Sequence, residues 1–461
     1  MALRDLTQFH ENAAVIDWWR RVLGRSLVWL TPPRRRRAIL AVAALLVGIV
    51  TTLQTIARNK GLPVPSHGFG AGLVVLAQFA LLWLVYRAAA RFAQWPGLLR
   101  RNPQWTLHGC YWALLVVVWL SAPSDGLWRS VLLGLAIMVP ALIWRCSYMV
   151  LAGQHGRMKG TGITDHLFYL WPAYGGSDTP YGKGLAYLSQ FEAKTTDELA
   201  RSQLAGIKLI LLAVLWRLVL TAFEGLVYGP GNRLTQAIGG HTLGLPELQN
   251  LLVLGAQAPL AQSWAGIYCE MFEHVLRLAI KGHLIVGALR LYGFNVFRNT
   301  YKPLLAESVV EFWNRYFYYF KELLSTFFFL PTFTGFGRRL SKWPKLRLLA
   351  AVFAAALVGN VYYHLIRESV ELAQGHGWQV VYAQRSRMFY CLLLAVGLYV
   401  SMLREQGRRG ETASAGRAPR WLRIFGVWTF FAMVFIWDAE GGAPFLSRVH
   451  FFLGLFGLGG G

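Results

Sequence analysis

Long apolar runs separated by short basic segments make up most of the chain. A helix that crosses the hydrocarbon core of a bilayer needs about 20 mostly apolar residues. Runs of that kind occupy 38–57, 71–90, 106–122, 128–151, 205–224, 346–366, 386–403 and 421–438. Less clean runs, broken by charge or glycine, lie at 247–264, 270–293, 304–330 and 444–459. Together they predict an all-α, polytopic membrane protein with roughly ten to twelve transmembrane helices. No internal repeat or soluble domain interrupts the pattern. The predicted organisation is a cytoplasmic or interfacial segment at 1–37 and one membrane-embedded domain at 38–461.

Composition agrees with that reading. Hydrophobic residues make up 55% of the 461 residues and charged ones 15%, below the roughly 25% charged residues usual for soluble domains. Mean hydropathy is +0.39. The net charge of +24 would suit nucleic acid if it covered a solvated face, but it is packed into runs between apolar segments. Arg34 to Arg37, Arg100-Arg101, Arg338-Arg339 with Lys342 and Lys345, and Arg404 to Arg420 read as topology determinants beside an anionic lipid surface, and no nucleic acid is implied. The positive-inside rule then puts these loops in the cytoplasm and Ser121–Gly126 and 367–384 outside. The implied location is a cell (inner) membrane with a cytoplasmic N-terminus. Residues 1–33, with Trp18, Trp19 and Trp29 among arginines, suit either an amphipathic helix on the cytoplasmic leaflet or a solvated terminal helix. Cys110, Cys146, Cys269 and Cys391 are far apart and lack metal-site spacing, so they read as free thiols.

Two stretches depart from the apolar pattern. Residues 153–202 are polar yet rich in Tyr, Phe, Trp and Gly. Residues 265–336 carry ionisable groups, among them Glu270, Glu273, His283, Glu307, Glu311 and Arg315, between aromatic and aliphatic runs. Charge at membrane depth persists where it pairs, faces a bundle interior or lines a wet cavity. On a helix, Glu311 and Arg315 stand four apart and can pair, with Asn314 on a nearby face. The aromatic block Tyr316 to Phe320 can line an acyl-chain tunnel or simply pack.

The segment 293–331 resembles that of the membrane-bound O-acyltransferases. Gly293-Phe294, Asn299, Pro303, Ala306, Ser308, Glu311-Phe312-Trp313 and Arg315 fall without a gap on the bacterial form ending in F-W-x-R-W-H. Tyr169-Leu170-Trp171-Pro172 with Gly175-Gly176 is similar to the family's F-P…G-P segment, and Gly206-Ile207-Lys208 to its G-x-K element. Gly359-Asn360-Val361-Tyr362-Tyr363-His364 stands where the family keeps W-H-G. The likeness covers about 150–370. In this register the family's first His falls on Phe317, the Trp before it on Tyr316 and the W-H-G glycine on Leu365. Branches that acylate lipids or sterols carry W-W-N, of which Trp313-Asn314 is the counterpart one turn earlier.

The resemblance implies a catalytic pair, His364 and Asn314, supported by Glu311, Arg315, Glu368, His283 and Trp313. It implies an acyl group moved from an acyl-CoA or acyl-carrier-protein thioester to a hydroxyl of a lipid, glycan or small molecule, with no bound cofactor or metal. Membrane lipids, the acyl donor and an accessory protein of an acylation pathway are the implied partners. The chemistry is coherent on its own terms. A neutral imidazole suits removal of a hydroxyl proton, and an amide N–H suits a developing oxyanion. Glu368, four residues past His364, can fix its tautomer. His274 and His283 can line a cavity, whereas His155, His166, His241, His376 and His450 have no partner legible in the sequence. Phe317 leaves a second reading open, a degenerate member that binds or transports a lipid or polyol.

Overall fold

The computed structural model describes residues 8–58, 68–121, 126–170, 176–229, 242–408, 419–439 and 442–458. Trp171-Pro172, Gly175, His241, most of the Ser121–Gly126 connection and the middle of the 404–420 loop lie outside the described residues. The helices that bear on the core and the candidate site are α1 (Ala13–Leu30), α2 (Pro33–Arg58), α3 (Gly68–Ala90), α4 (Pro103–Leu120), α5 (Leu127–Gln154), α6 (Thr164–Leu170), α7 (Thr196–Tyr228), α8 (Leu248–Leu254) and α9 (Leu260–Leu291). After them come α10 (Val309–Tyr316), α11 (Tyr318–Leu324), α12 (Pro344–Phe353), α13 (Asn360–Leu365), α14 (Ser369–Ala373), α15 (Arg385–Arg408), α16 (Arg420–Phe435) and α17 (Phe445–Gly454). The only extended pairing among the described residues is an isolated antiparallel bridge between Glu192 and Phe294.

Six of these helical stretches are long and apolar enough to cross a membrane: Pro33–Ile56, Phe69–Ala90, Leu127–Gln154, Thr196–Tyr228, Pro344–Leu365 and Arg385–Gly407. With this all-helical make-up the chain is a polytopic membrane protein. The six coincide with six of the clean apolar runs. Other runs resolve differently. The run at 247–264 is not one rod, because Gly255 takes a left-handed φ of 58° after α8 and Pro259 precedes the start of α9. The run at 304–330 is divided at Phe317. The runs at 421–438 and 444–459 hold helices of 16 and 10 residues.

The chain divides into two compact units, each gathered from separate stretches. The first holds residues 1–209, 285–297 and 364–380. Its inner helix is α5, whose apolar window is 56% buried against 33% for the windows of α2 and α3. The difference makes α5 the most enclosed of the three. Arg145, fully buried in α5, donates to the carbonyl oxygens of Tyr169 (2.6 Å) and Gly176 (3.0 Å), which offsets part of the cost of a charge inside a membrane protein.

The basic run at the start of α2 is only partly a surface feature. Arg36 is fully buried and donates to the carbonyls of Leu30, Thr31 and Ala193. Arg37 clamps the buried Glu192 carboxylate and reaches Asp165 at 3.3 Å. These two arginines tie α2 to the 153–202 stretch instead of meeting a lipid headgroup. Gly293 lies beside this cluster with φ 84°, and a Cβ there would stand 2.9 Å from Leu199 and 3.3 Å from the Arg36 guanidinium. Phe294 is fully buried and stacks on Phe168 at 5.5 Å.

The second unit holds residues 210–284, 298–363 and 381–461. Its charged helix faces are tied internally. Arg277 of α9 bridges Glu273 (2.7 Å) and Glu224 of α7 (3.0 Å). Its core is aromatic: Phe312 stacks on Phe431 of α16 at 3.9 Å.

Candidate functional site

The α10 segment starts where its sequence provides a cap. Ser308 takes an extended conformation and its hydroxyl accepts from the Glu311 N–H at 3.1 Å. The Glu311 carboxylate reaches back to the Glu307 N–H at 2.7 Å, a variant of the reciprocal capping box. Its other oxygen meets Arg315 at 2.5 Å, so the pairing expected from the spacing forms. Glu311 and Arg315 therefore act in building this helix. Beside them, Glu307 accepts from Arg423 (2.5 Å) and Arg420 (2.8 Å), and Glu405 accepts from the Ser308 hydroxyl at 2.7 Å. Hydrogen bonding to the Arg423 guanidinium, with Arg420 adding to it, holds the Glu307 carboxyl below the ordinary carboxylate range.

Phe317 breaks the helix with φ −138° and ψ 71°, and the segment 299–301 makes good the lost backbone bonds. Tyr301 N–H donates to the Arg315 carbonyl (2.8 Å), and the Thr300 hydroxyl donates to that of Tyr316 (2.9 Å). Tyr318 N–H donates to the Asn299 carbonyl, and Tyr319 N–H to the Asn299 side-chain oxygen. End carbonyls of α10 and leading N–H groups of α11 are thus satisfied at the break. Asn299, one of the residues carrying the family likeness, has a structural task here. Trp313 is buried, with its ring edge-on to Phe320 at 6.3 Å. Asn314 is exposed on α10.

His364 lies in the last turn of α13, half-buried, with its carbonyl accepting from the Arg367 N–H. It falls in the first unit and Asn314 in the second. Glu368 is the residue before α14, and its backbone carbonyl accepts from Leu372 N–H. Between α12 and α13, residues 354–359 widen into a π-helical turn, and so do residues 325–329 after α11. Such turns are rare and recur at functional sites. The two pack on each other: a Cβ at Gly359 would stand 2.6 Å from the Phe328 ring. Tyr363 meets Phe320 at 4.9 Å.

Asn360, at the head of α13, was not singled out by sequence reasoning as a reactive group. It is 2% exposed, and its amide nitrogen makes no hydrogen bond. A buried donor left unpaired costs about 1–3 kcal/mol, so its retention needs an explanation. Asn360 and His364 stand four residues apart on α13, a spacing that puts side chains on one face. The only sequence signal was its place inside the Gly359–His364 motif.

The remaining candidates divide clearly. His283 is buried, and its Nδ1 lies 2.5 Å from the Ala279 carbonyl one turn earlier, a bond internal to α9. His166, which looked partnerless, has both ring nitrogens engaged, with the Tyr169 hydroxyl at 2.6 Å and Thr161 at 2.9 Å. Burial pushes its pKa down to about 4. His376 pairs with Glu371 at 2.9 Å. Gly206, in the G-x-K element, lets α7 approach α9, since a Cβ there would be 2.7 Å from the Gly287 carbonyl. In comparisons with known proteins, no family model matches the chain, and no curated protein matches it.

Proposed function

We propose that the chain is a membrane O-acyltransferase with a core at about 150–370 of the kind it resembles. The observation that carries this reading is the buried Asn360 amide, without an acceptor of its own and one turn from His364. The His364 imidazole removes the proton of an acceptor hydroxyl as its oxygen attacks the carbonyl carbon of an acyl thioester. The new C–O bond forms, the C–S bond breaks, and the proton passes to the departing thiolate. An amide N–H steadies the oxyanion between these events. Asn360 fits that task by burial, and Asn314 by resemblance. The donor is an acyl-CoA or acyl-carrier-protein thioester from the cytoplasm, and the acceptor is a lipid, glycan or small-molecule hydroxyl. In this reading α4, α9 and α16 complete the membrane bundle toward ten to twelve crossings. The N-terminus is cytoplasmic in the inner membrane, and an accessory protein presents or receives the acyl group.

Purified protein given a long-chain acyl-CoA and candidate hydroxyl acceptors tests the mechanism. Replacing His364 by alanine lowers transfer by about 10²- to 10⁴-fold, and replacing Asn360 by alanine lowers it by about 10²-fold. Full transfer by the His364 variant sinks the mechanism, and loss on replacing Asn314 but not Asn360 reassigns the donor. A second reading, binding or transport of a lipid or polyol without turnover, is favoured by the exposure of Asn314 and by Phe317 at the helix break. It expects ligand retention with no acyl product from any donor.

A further inference from the structure

A groove between α15 and α16, separate from the acyl-transfer reading, has a different chemistry. Along α15 its wall recurs at Leu393, Val396, Val400 and Arg404, the spacing of one helix face, over about 16 Å. Leu422, Gly426 and Phe430 face it from α16, and Glu307 and Ser308 close one end. Its volume of ≈ 550 Å³ falls within the roughly 300–1,000 Å³ of small-ligand sites.

Polarity along the groove is segregated. From Leu393 to Val400 the α15 wall carries no charge, whereas Arg404, Glu405, Arg423 and Glu307 gather at the other end. Glu307 is already held by Arg420 and Arg423, Glu405 accepts from Ser308, and Arg404 is exposed. Three guanidinium groups therefore meet two carboxylates, leaving the polar end positive. A Cβ built on Gly426 would meet no atom within 4 Å, so the α16 wall is open there.

We propose that this groove holds one acyl chain of an anionic phospholipid, with the headgroup phosphate at Arg404 and Arg423. An apolar channel along the membrane-length helix α15 is filled from the bilayer, and the basic end selects a negative headgroup over a zwitterionic one.

The test is photolabelling of the full chain in phosphatidylcholine vesicles carrying a small fraction of phosphatidylglycerol with a diazirine in one acyl chain. Adducts mapped by mass spectrometry are expected within 393–400 and 422–430. Unlabelled phosphatidylglycerol should compete for them, and added phosphatidylcholine should not. Replacing Gly426 by phenylalanine should reduce these adducts to the level of other lipid-facing helices. Replacing the exposed Arg404 by glutamine should lower them about fivefold, the weight of one arginine at an anionic lipid surface. Equal competition by phosphatidylcholine on the wild-type chain overturns the proposal. So does undiminished labelling of the Gly426 variant with an unchanged melting temperature. If that variant does not fold, the Arg404 variant and the wild-type competition decide the matter.

Discussion

Replacing Gly359 by alanine tests whether the two π-helical turns are locked together. The added Cβ would lie 2.6, 2.7 and 3.0 Å from three atoms of the Phe328 ring. Carbon atoms rest at about 3.5–4.0 Å, so the ring must retreat by about 1 Å. Phe328 is buried, with Tyr362 at 6.3 Å, and it cannot swing freely into solvent. Overpacking of this kind costs about 1–3 kcal/mol, and alanine's better helix propensity returns up to about 1 kcal/mol. The expected net loss is about 1–2 kcal/mol. Replacing Phe328 by leucine removes the ring that clashes. In that background the same alanine should be neutral or stabilising, giving a coupling of about 2 kcal/mol in a double-mutant cycle. Reversible unfolding of the detergent-solubilised protein, followed by tryptophan fluorescence, measures all four corners. A coupling below about 0.5 kcal/mol, the scatter of independent sites, refutes the packing account.

Two further outcomes follow from single side chains. The folded-state pKa of His166 is about 4 against an ordinary 6.5, so its neutral form supports the fold. That contribution is complete above about pH 6.5 and is lost as the pH falls toward 4. At most it amounts to about 3 kcal/mol. Melting curves at pH 7.5 and 4.5 should show a steeper acid loss in wild type than after replacement of His166 by glutamine, and identical slopes would refute the assignment. Replacing Asn360 by leucine removes an unpaired buried donor, so stability should rise by about 1 kcal/mol while the proposed acyl transfer should fall. A destabilised variant would show that the amide has a structural partner.

The six clean spans were legible because a bilayer demands length and hydropathy that few other contexts do. Glu311 with Arg315 was legible from its spacing, and the Ser308 to Glu311 cap was there to be read from the same rules. The break at Phe317 was not. Nothing in the run from Glu311 to Leu324 forbids a continuous helix, and the interruption is sustained by Asn299, Thr300 and Tyr301 pairing with the freed backbone. The run at 247–264 misled for a related reason, since hydropathy averages across Gly255 and Pro259. Burial of Arg36 was hidden because a basic run before a span has a ready explanation at the membrane surface. The Asn360 amide escaped notice because being unsatisfied is a property of surroundings, which a single sequence does not display.

The π-helical turn before Asn360 also sets an angle. A turn closed five residues apart holds one residue more than an α-turn, and each helical residue turns the chain by about 100°. The wide turn itself takes up the extra residue, so deleting one residue from 354–358 should let it close as ordinary α-helix with the chain beyond it near its present angle. The same deletion in the α-helical turns before it would rotate Asn360 and His364 together by about 100°. The wide turn is thus the place where this helix can lose a residue and keep the aim of the pair.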